Sequence, residues 1–340
     1  VPSKVFGLNS KQSNKRSNEN AMSMEKFNEH LNARTTYAIA QSDETMLQEN
    51  VNLLYKWAKN DALTDTRKCA IGGRKLDTCT QYQQADLEDL SSQQDWNNVY
   101  QNMESMYLTY LVGLSDFKVT ENAEKHKTIQ RWFNKFQKDL PKSRFHSEVF
   151  FGLFLNWKIA EVINLTKEDN IADAQKLLAK TLDAMDRELI LDDGSLKDRT
   201  TRGVRALHYH HSALNEIVFV MYLAKNAGVT PDSNMVFKID KAVQLWLNGV
   251  EDYSYMDKWA KVAHNQLYKP GEQDLGGRFG ADNWWNLNFE MSWVHVYANW
   301  FPEAPGAKRI KRNANINAGN ASATTDTLTG IGLGCLSYIN

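Results

Sequence analysis

The chain has 340 residues, of which 42% are hydrophobic and 24% charged, with a formal net charge of −1. That balance is ordinary for a water-soluble globular protein with a sizeable core. It excludes a global basic field of the kind that gathers nucleic acid, and no apolar run approaches the length of a membrane span.

Residues 8–20 form a polar stretch with Lys11, Lys15 and Arg16, too poor in apolar side chains to build a core. We read this arm as a frayed terminus or a lid. The chain begins at Val1 without Met and shows no signal peptide, so a processed or trimmed chain is expected. None of the six prolines falls between Pro2 and Pro141, and apolar residues there recur at three-and-four spacing. This predicts helices over 21–40, 43–60, 85–114 and 121–138. Cys69 and Cys79 bracket a turn-rich polar loop; a disulfide and two free thiols are equal readings. With no C-x-x-C pair, a zinc site is not expected.

After Pro141 the pattern predicts helices over 145–164, 169–190, 204–227, 234–250, 254–265 and 284–300. The breaks carry turn residues: Asp192-Asp193-Gly194-Ser195, and Ala227-Gly228 followed by Pro231, which is a C-terminal stop signal. The segment 212–225 reads as amphipathic. No strand alternation stands out before residue 300, although some pairing is possible in the glycine-rich tail 327–339. Residues 306–329 read as a polar surface tail that opens on Lys308-Arg309 and Lys311-Arg312. Helices of similar length joined by short loops predict an all-α chain, a helical hairpin array open or closed into an (α/α) toroid or barrel, with a short irregular or β-containing tail. The expected division is an arm or lid over 1–20, the helical domain over 21–305 and a packing tail over 306–340.

Chemistry concentrates in Arg202-Gly-Val-Arg205-Ala-Leu-His208-Tyr209-His210-His211. At about 100° per residue Arg202, Arg205 and Tyr209 share one helical stripe. A guanidinium fork matches a carboxylate, and its fixed charge favours the ionised form of a nearby phenol. An anion clamp beside a proton carrier is what proton abstraction next to a carboxylate requires. An exposed basic helix start with a buried tyrosine is the plain alternative. His208 and His211, at i and i+3, raise a metal question, but no H-E-x-x-H pattern accompanies them and no metal is assigned. His210 and His211 are expected to pack or bond near the site. A second centre is Ser143-Arg144-Phe145-His146-Ser147-Glu148, at the mouth of an apolar helix. A third is Gly276-Gly277-Arg278 to Trp284-Trp285, read as a sugar-stacking loop or as a turn into a buried aromatic helix. No G-x-S-x-G elbow or phosphate-binding P-loop is present. The acidic pair Asp192/Asp193 sits in a turn where exposed Asp is ordinary.

Taken together, these segments resemble the alginate lyases of polysaccharide lyase family 5 and, more loosely, family 38. The run Arg202-x-x-Arg205-Ala-Leu-x-Tyr209-His210-x-x-Ala213-Leu214 is similar to the family's arginine–tyrosine segment, and Gly194 to Asp198 resembles its lead-in. Arg131-Trp132-Phe133 resembles the family's Trp-Phe helix, His146-Ser147 its histidine motif, and Leu8 to Lys11 a Ser-Lys segment of its lid. The resemblance implies an (α/α) toroid that depolymerises a uronate polysaccharide, polymannuronate first, by β-elimination. It implies Arg202 at the substrate carboxylate, with Tyr209 and His146 as proton carriers, and Lys11 on the lid. Arg205, His210, Arg278 and Trp284 are expected to meet substrate. Phe145 stands where the family has an Asn, Val149 where it has a Trp, and Ser212 where it has a Tyr. Asn97 and Asn98 are the candidates to replace the missing amide. The chemistry calls for neither metal nor organic cofactor. The implied partner is an acidic polysaccharide, with no nucleic acid and no membrane, and the expected state is a secreted or periplasmic monomer. The rivals are a lyase of glucuronan or another glycuronan, a glycan-binding protein without turnover, and an inverting glycoside hydrolase using two carboxylates.

Overall fold

The computed structural model describes residues 4–5, 27, 30–39, 41–63, 65–66, 70–71, 74–75, 106–107, 109–113, 123–139, 161–163, 165–166, 170–197, 199–201, 206–260 and 292–313. Eight helices carry the argument: α1 (30–39), α2 (Glu44–Lys59), α3 (Ala123–Asp139), α4 (Ile171–Ala184), α5 (Ala206–Asn226), α6 (Ser233–Glu251), α7 (Ser292–Trp300) and α8 (Pro305–Arg312). The chain divides into two compact units, one mainly of residues 1–146 and the other mainly of 147–326.

In the first unit α2 starts where Asp43 accepts a hydrogen bond from the Met46 N–H at 2.9 Å, with Glu44 in the first turn and Lys56 and Lys59 in the last. These residues satisfy an orphan donor and complement the helix dipole. Its buried face, Asn50, Val51, Leu54, Trp57 and Ala58, has helical spacing and packs on α3. Trp132 of α3 donates its indole N–H to the Ala62 carbonyl at 2.7 Å. Phe133 lies 4.6 Å from the ring of Tyr107 and 5.2 Å from that of Tyr110. Trp132-Phe133, singled out in the sequence, is therefore an aromatic knot in this unit's core.

The second unit is built round α5, and here a sequence expectation fails. The helix is not amphipathic: every residue from Ala213 to Ala224 is buried. A helix apolar on all sides needs neighbours on all sides, and α4, α6 and α7 supply them. Gly228 at φ 72° ends α5, with the Val229 N–H bonded to the Ala224 carbonyl at 2.8 Å, as the Gly–Pro signal predicts. Asp232 caps α6 through the Met235 N–H at 2.8 Å. Between α4 and the next loop the chain widens into a π-turn over Met185–Leu189, closed by the Ile190 N–H on the Met185 carbonyl at 2.9 Å.

Two further expectations are corrected. Residues 305–312, read as polar tail, form α8: Pro305 sits at the helix start, and Gly306, Ala307 and Ile310 face inward. Its basic residues masked a short amphipathic helix. Asp240 of α6 holds this helix, accepting from the Gly306 N–H at 2.9 Å, from the Gln244 amide at 2.6 Å and from the Tyr297 hydroxyl of α7. Burial, then the Asp240 carboxylate, push the Tyr297 phenol well above its ordinary range. Strands also occur before residue 300: β1 (Lys4–Val5) pairs in parallel with β2 (Asp65–Thr66), and β3 (Ala70–Ile71) pairs antiparallel with β4 (Arg74–Lys75). Two-residue strands are too short to show alternation. Cys69, Cys79 and Cys335 lie outside the described residues.

Candidate active site

The site grows out of the turn at 191–195. Asp193 bends the chain by accepting from the Ser195 N–H at 2.9 Å and the Ser195 hydroxyl at 2.6 Å. Its second oxygen accepts from the Trp259 indole at 3.0 Å. Burial works to raise this carboxyl's pKa; the bonds from Ser195 and Trp259 and the charge of Lys258 outweigh it and hold the group below its ordinary value. Gly194 has φ 85°, and a Cβ there would stand 2.6 Å from the backbone carbon of Lys241. The turn thus rests directly on α6, at a position that only glycine fits. A bridge between Ile190 and Leu196 closes it.

Beyond the bridge the chain coils: the Arg199 and Thr200 N–H groups both donate to the Leu196 carbonyl, at 3.1 and 3.0 Å. Thr200 then ties three segments together. Its hydroxyl oxygen accepts from the Leu196 N–H at 2.7 Å and lies 2.8 Å from Nδ1 of His210 in the first turns of α5. The other ring nitrogen, Nε2, is 2.9 Å from the Ala242 carbonyl of α6. A carbonyl only accepts, so Nε2 carries the hydrogen, Nδ1 is the acceptor and Thr200 donates to it. The network fixes a neutral imidazole. Burial depresses the His210 pKa from about 6.5 to about 4, against the Ala242 bond and the Asp193 charge, which act to raise it.

Tyr209, the neighbour of His210, is half-buried, and the Arg199 guanidinium carbon lies 5.5 Å from its ring centroid. A cation at that distance over an aromatic face is attracted by the ring quadrupole. The residue selected from sequence as the reacting phenol is therefore at the start of a fully packed helix, beside a pinned imidazole and under a guanidinium group. Arg199 escaped the sequence reading. Its signal was a spacing of three ahead of Arg202 and Arg205, hidden because 199–201 is a separate turn outside α5.

Of the residues expected at the site, Arg202, Arg205, His146, Lys11, Asn97, Asn98, Arg278 and Trp284 lie outside the described residues, as does the His208 side chain. His210 is described, and its expected contact with substrate is corrected: it is fully buried, with both ring nitrogens engaged within the protein. It anchors the helix start. His211 packs between Trp246 and Trp293, at ring distances of 5.2 and 5.8 Å, and its Nδ1 accepts from the Trp293 indole at 3.4 Å. The Asp192/Asp193 pair is also structural. One oxygen of Asp193 serves the turn and the other the Trp259 indole, and Asp192 faces Lys238 at 3.4 Å. The Asp193 and Glu303 carboxyls are both held below their ordinary range, opposite to what a general acid needs.

Solved structures share this fold. Alginate lyase A1-III from Sphingomonas species A1 matches with a TM-score of 0.60 at 17% identity, over 99% of this chain and 84% of that one. A histidine-to-alanine variant of alginate lyase A1-III in complex with a tetrasaccharide matches with a TM-score of 0.59 at 16% identity, over 99% of this chain and 85% of that one. The apo form of that variant matches with a TM-score of 0.59 at 16% identity, over 98% and 81%. The all-α fold of the (α/α) toroid class, expected from the helical pattern, is thereby shown. No curated protein matches the sequence closely. The family profile of the alginate lyases matches residues 8–255, and the chain belongs to the alginate lyase family, a family of polysaccharide lyases.

Proposed function

We propose that this protein cleaves a uronate-containing polysaccharide, alginate and foremost its polymannuronate stretches, by β-elimination. The observation that carries this reading is Tyr209: a half-buried phenol, held at the start of α5 under a guanidinium group, in a chain of the alginate lyase family. Arg202 binds the substrate carboxylate and neutralises it, which makes the adjacent C5 proton more acidic and stabilises the enolate-like intermediate. A base removes that proton, the bond from C4 to its oxygen breaks, and an acid protonates the departing oxygen. Tyr209 serves as both base and acid on a syn course; on an anti course His146 is the base and Tyr209 the acid. Arg205 favours the ionised phenol. Lys11, Asn97, Asn98, Arg278 and Trp284 are proposed to line the substrate path.

The product carries a C4–C5 double bond conjugated to the carboxylate and absorbs in the ultraviolet. Incubation with polymannuronate, polyguluronate, glucuronan and hyaluronan, followed by absorbance, tests the reading. Polymannuronate should give the fastest rise. Tyr209→Phe should abolish it with the fold intact, and retention of full rate by that variant would overturn the mechanism. Saturable binding without any rise would identify a glycan-binding protein, and new reducing ends without absorbance a hydrolase. A large acidic polymer as substrate supports a secreted or periplasmic location, which cell fractionation tests.

A further inference from the structure

We propose that Arg199 is a positioning residue for Tyr209, fixing the plane of the ring and stabilising its ionised form during turnover. The inference rests on the reading of Tyr209 as the reacting phenol. Its guanidinium carbon lies 5.5 Å from the Tyr209 ring centroid. That distance alone describes many surface pairs; the mounting of both partners sets this one apart. Arg199 sits in a turn where its N–H closes on the Leu196 carbonyl at 3.1 Å, and Leu196 is itself bridged to Ile190. The next residue, Thr200, is bonded on one side to Leu196 and on the other to His210. Tyr209 precedes His210, whose ring is also held by the Ala242 carbonyl of α6. Cation and phenol therefore hang from neighbouring links of one hydrogen-bonded clip. Neither backbone can swing without breaking a bond at 2.7–2.9 Å.

Such a mount has a chemical consequence. A phenol in elimination chemistry must take up and release a proton while its oxygen stays near the reacting carbon. A cation against the ring face attracts the neutral ring and attracts the phenolate more strongly, so it favours the proton-poor form that acts as base. It also removes freedom of the ring about its own axis, which shortens the search for a reactive geometry. The attraction acts on the protein's own side chain rather than on bound polymer. Its loss should therefore appear in kcat and leave KM nearly unchanged.

The test uses the whole chain and the polymer it degrades fastest. Arg199→Met, which keeps length and loses charge, should lower kcat about 3- to 30-fold, the range a desolvating cation–π contact spans. KM should stay within about two-fold, and Arg199→Lys should recover part of the loss. Tyr209→Phe is measured alongside, with the double variant. Because Arg199 acts on the phenol and not on polymer, the double variant should bind the polymer as tightly as Tyr209→Phe does, and weaker binding would overturn the proposal. Full kcat in Arg199→Met would overturn the proposal, as would a rise in KM at constant kcat, which marks a cation bound to substrate. A loss matched by a fall in the urea midpoint and not recovered by Arg199→Lys would mark a merely structural arginine, and also overturn it. If Tyr209→Phe itself keeps full rate, the lyase mechanism falls first and this inference with it. A dead Tyr209→Phe beside an unaffected Arg199→Met removes the inference alone.

Discussion

Acid should loosen the clip that holds the site before it unfolds the rest of the chain. His210 is fully buried, and its pKa is depressed from about 6.5 to about 4. Between these values the unfolded chain binds a proton that the folded chain refuses, so folding stability rises with pH across the window and is complete above about 6.5. A separation of about 2.5 units amounts to about 3 kcal/mol, of which about 2.5 kcal/mol is already lost at about pH 4.5. Burial is the cause of the resistance: a charged imidazolium has no water to solvate it there. A proton at Nδ1 would also require the Thr200 hydroxyl, which now donates to it, to turn away. Other histidines titrate too, so the assay is a comparison. Urea unfolding of the wild type and of His210→Gln is followed by tryptophan fluorescence at pH 7 and pH 4.5. His210→Gln is less stable at pH 7 because its amide fits the clip poorly, and it loses about 2.5 kcal/mol less on acidification. Equal losses in the two proteins, within about 0.5 kcal/mol, would refute the reasoning.

Thr200→Val should destabilise the protein by about 1–3 kcal/mol, because it strands the Leu196 N–H and His210 Nδ1 in the core; denaturant midpoints measure it. The two left-handed glycines should differ on replacement. Gly228→Ala, at φ 72° with open space around it, should cost about 1–2 kcal/mol. Gly194→Ala should cost distinctly more and lower activity, since its Cβ would press on the α6 backbone at 2.6 Å; thermal midpoints of the pair give the order. Asp240→Asn should cost about 1–3 kcal/mol, read in the same way, because an amide nitrogen would then face the Gln244 donor.

The helices were legible because their signals are local. Asp43 and Asp232 cap, Gly228 stops, and Leu54, Trp57 and Ala58 repeat at helical spacing. The reading failed where the neighbourhood decides. The burial of α5 on every side depends on three other helices, and the polar residues in its sequence, Asn215 and Glu216, suggested a wet face that the fold does not provide. α8 was missed because four basic residues in eight outweighed three inward-facing small or apolar ones. The position of Tyr209 at the start of a long helix was legible in the sequence. The roles of His210 and Thr200 were not, because their partners are Leu196 and Ala242, backbone groups brought near only by folding.

The burial of α5 also bears on Tyr209, which lies at its start. A helix packed on all sides has few degrees of freedom left, so a side chain in its first turns inherits a fixed origin. Its first turn, Ala206 to Tyr209, holds no acidic side chain, whereas Lys225 complements the dipole at its far end. The positive end is thus left without an acid of its own, and Arg199 adds a further positive charge to the phenol there. Under the proposed function an anionic polymer meets this positive helix end. A change of charge at Arg199 then reaches the Tyr209 phenol directly, whereas changes at Thr200 or His210 reach it through geometry alone.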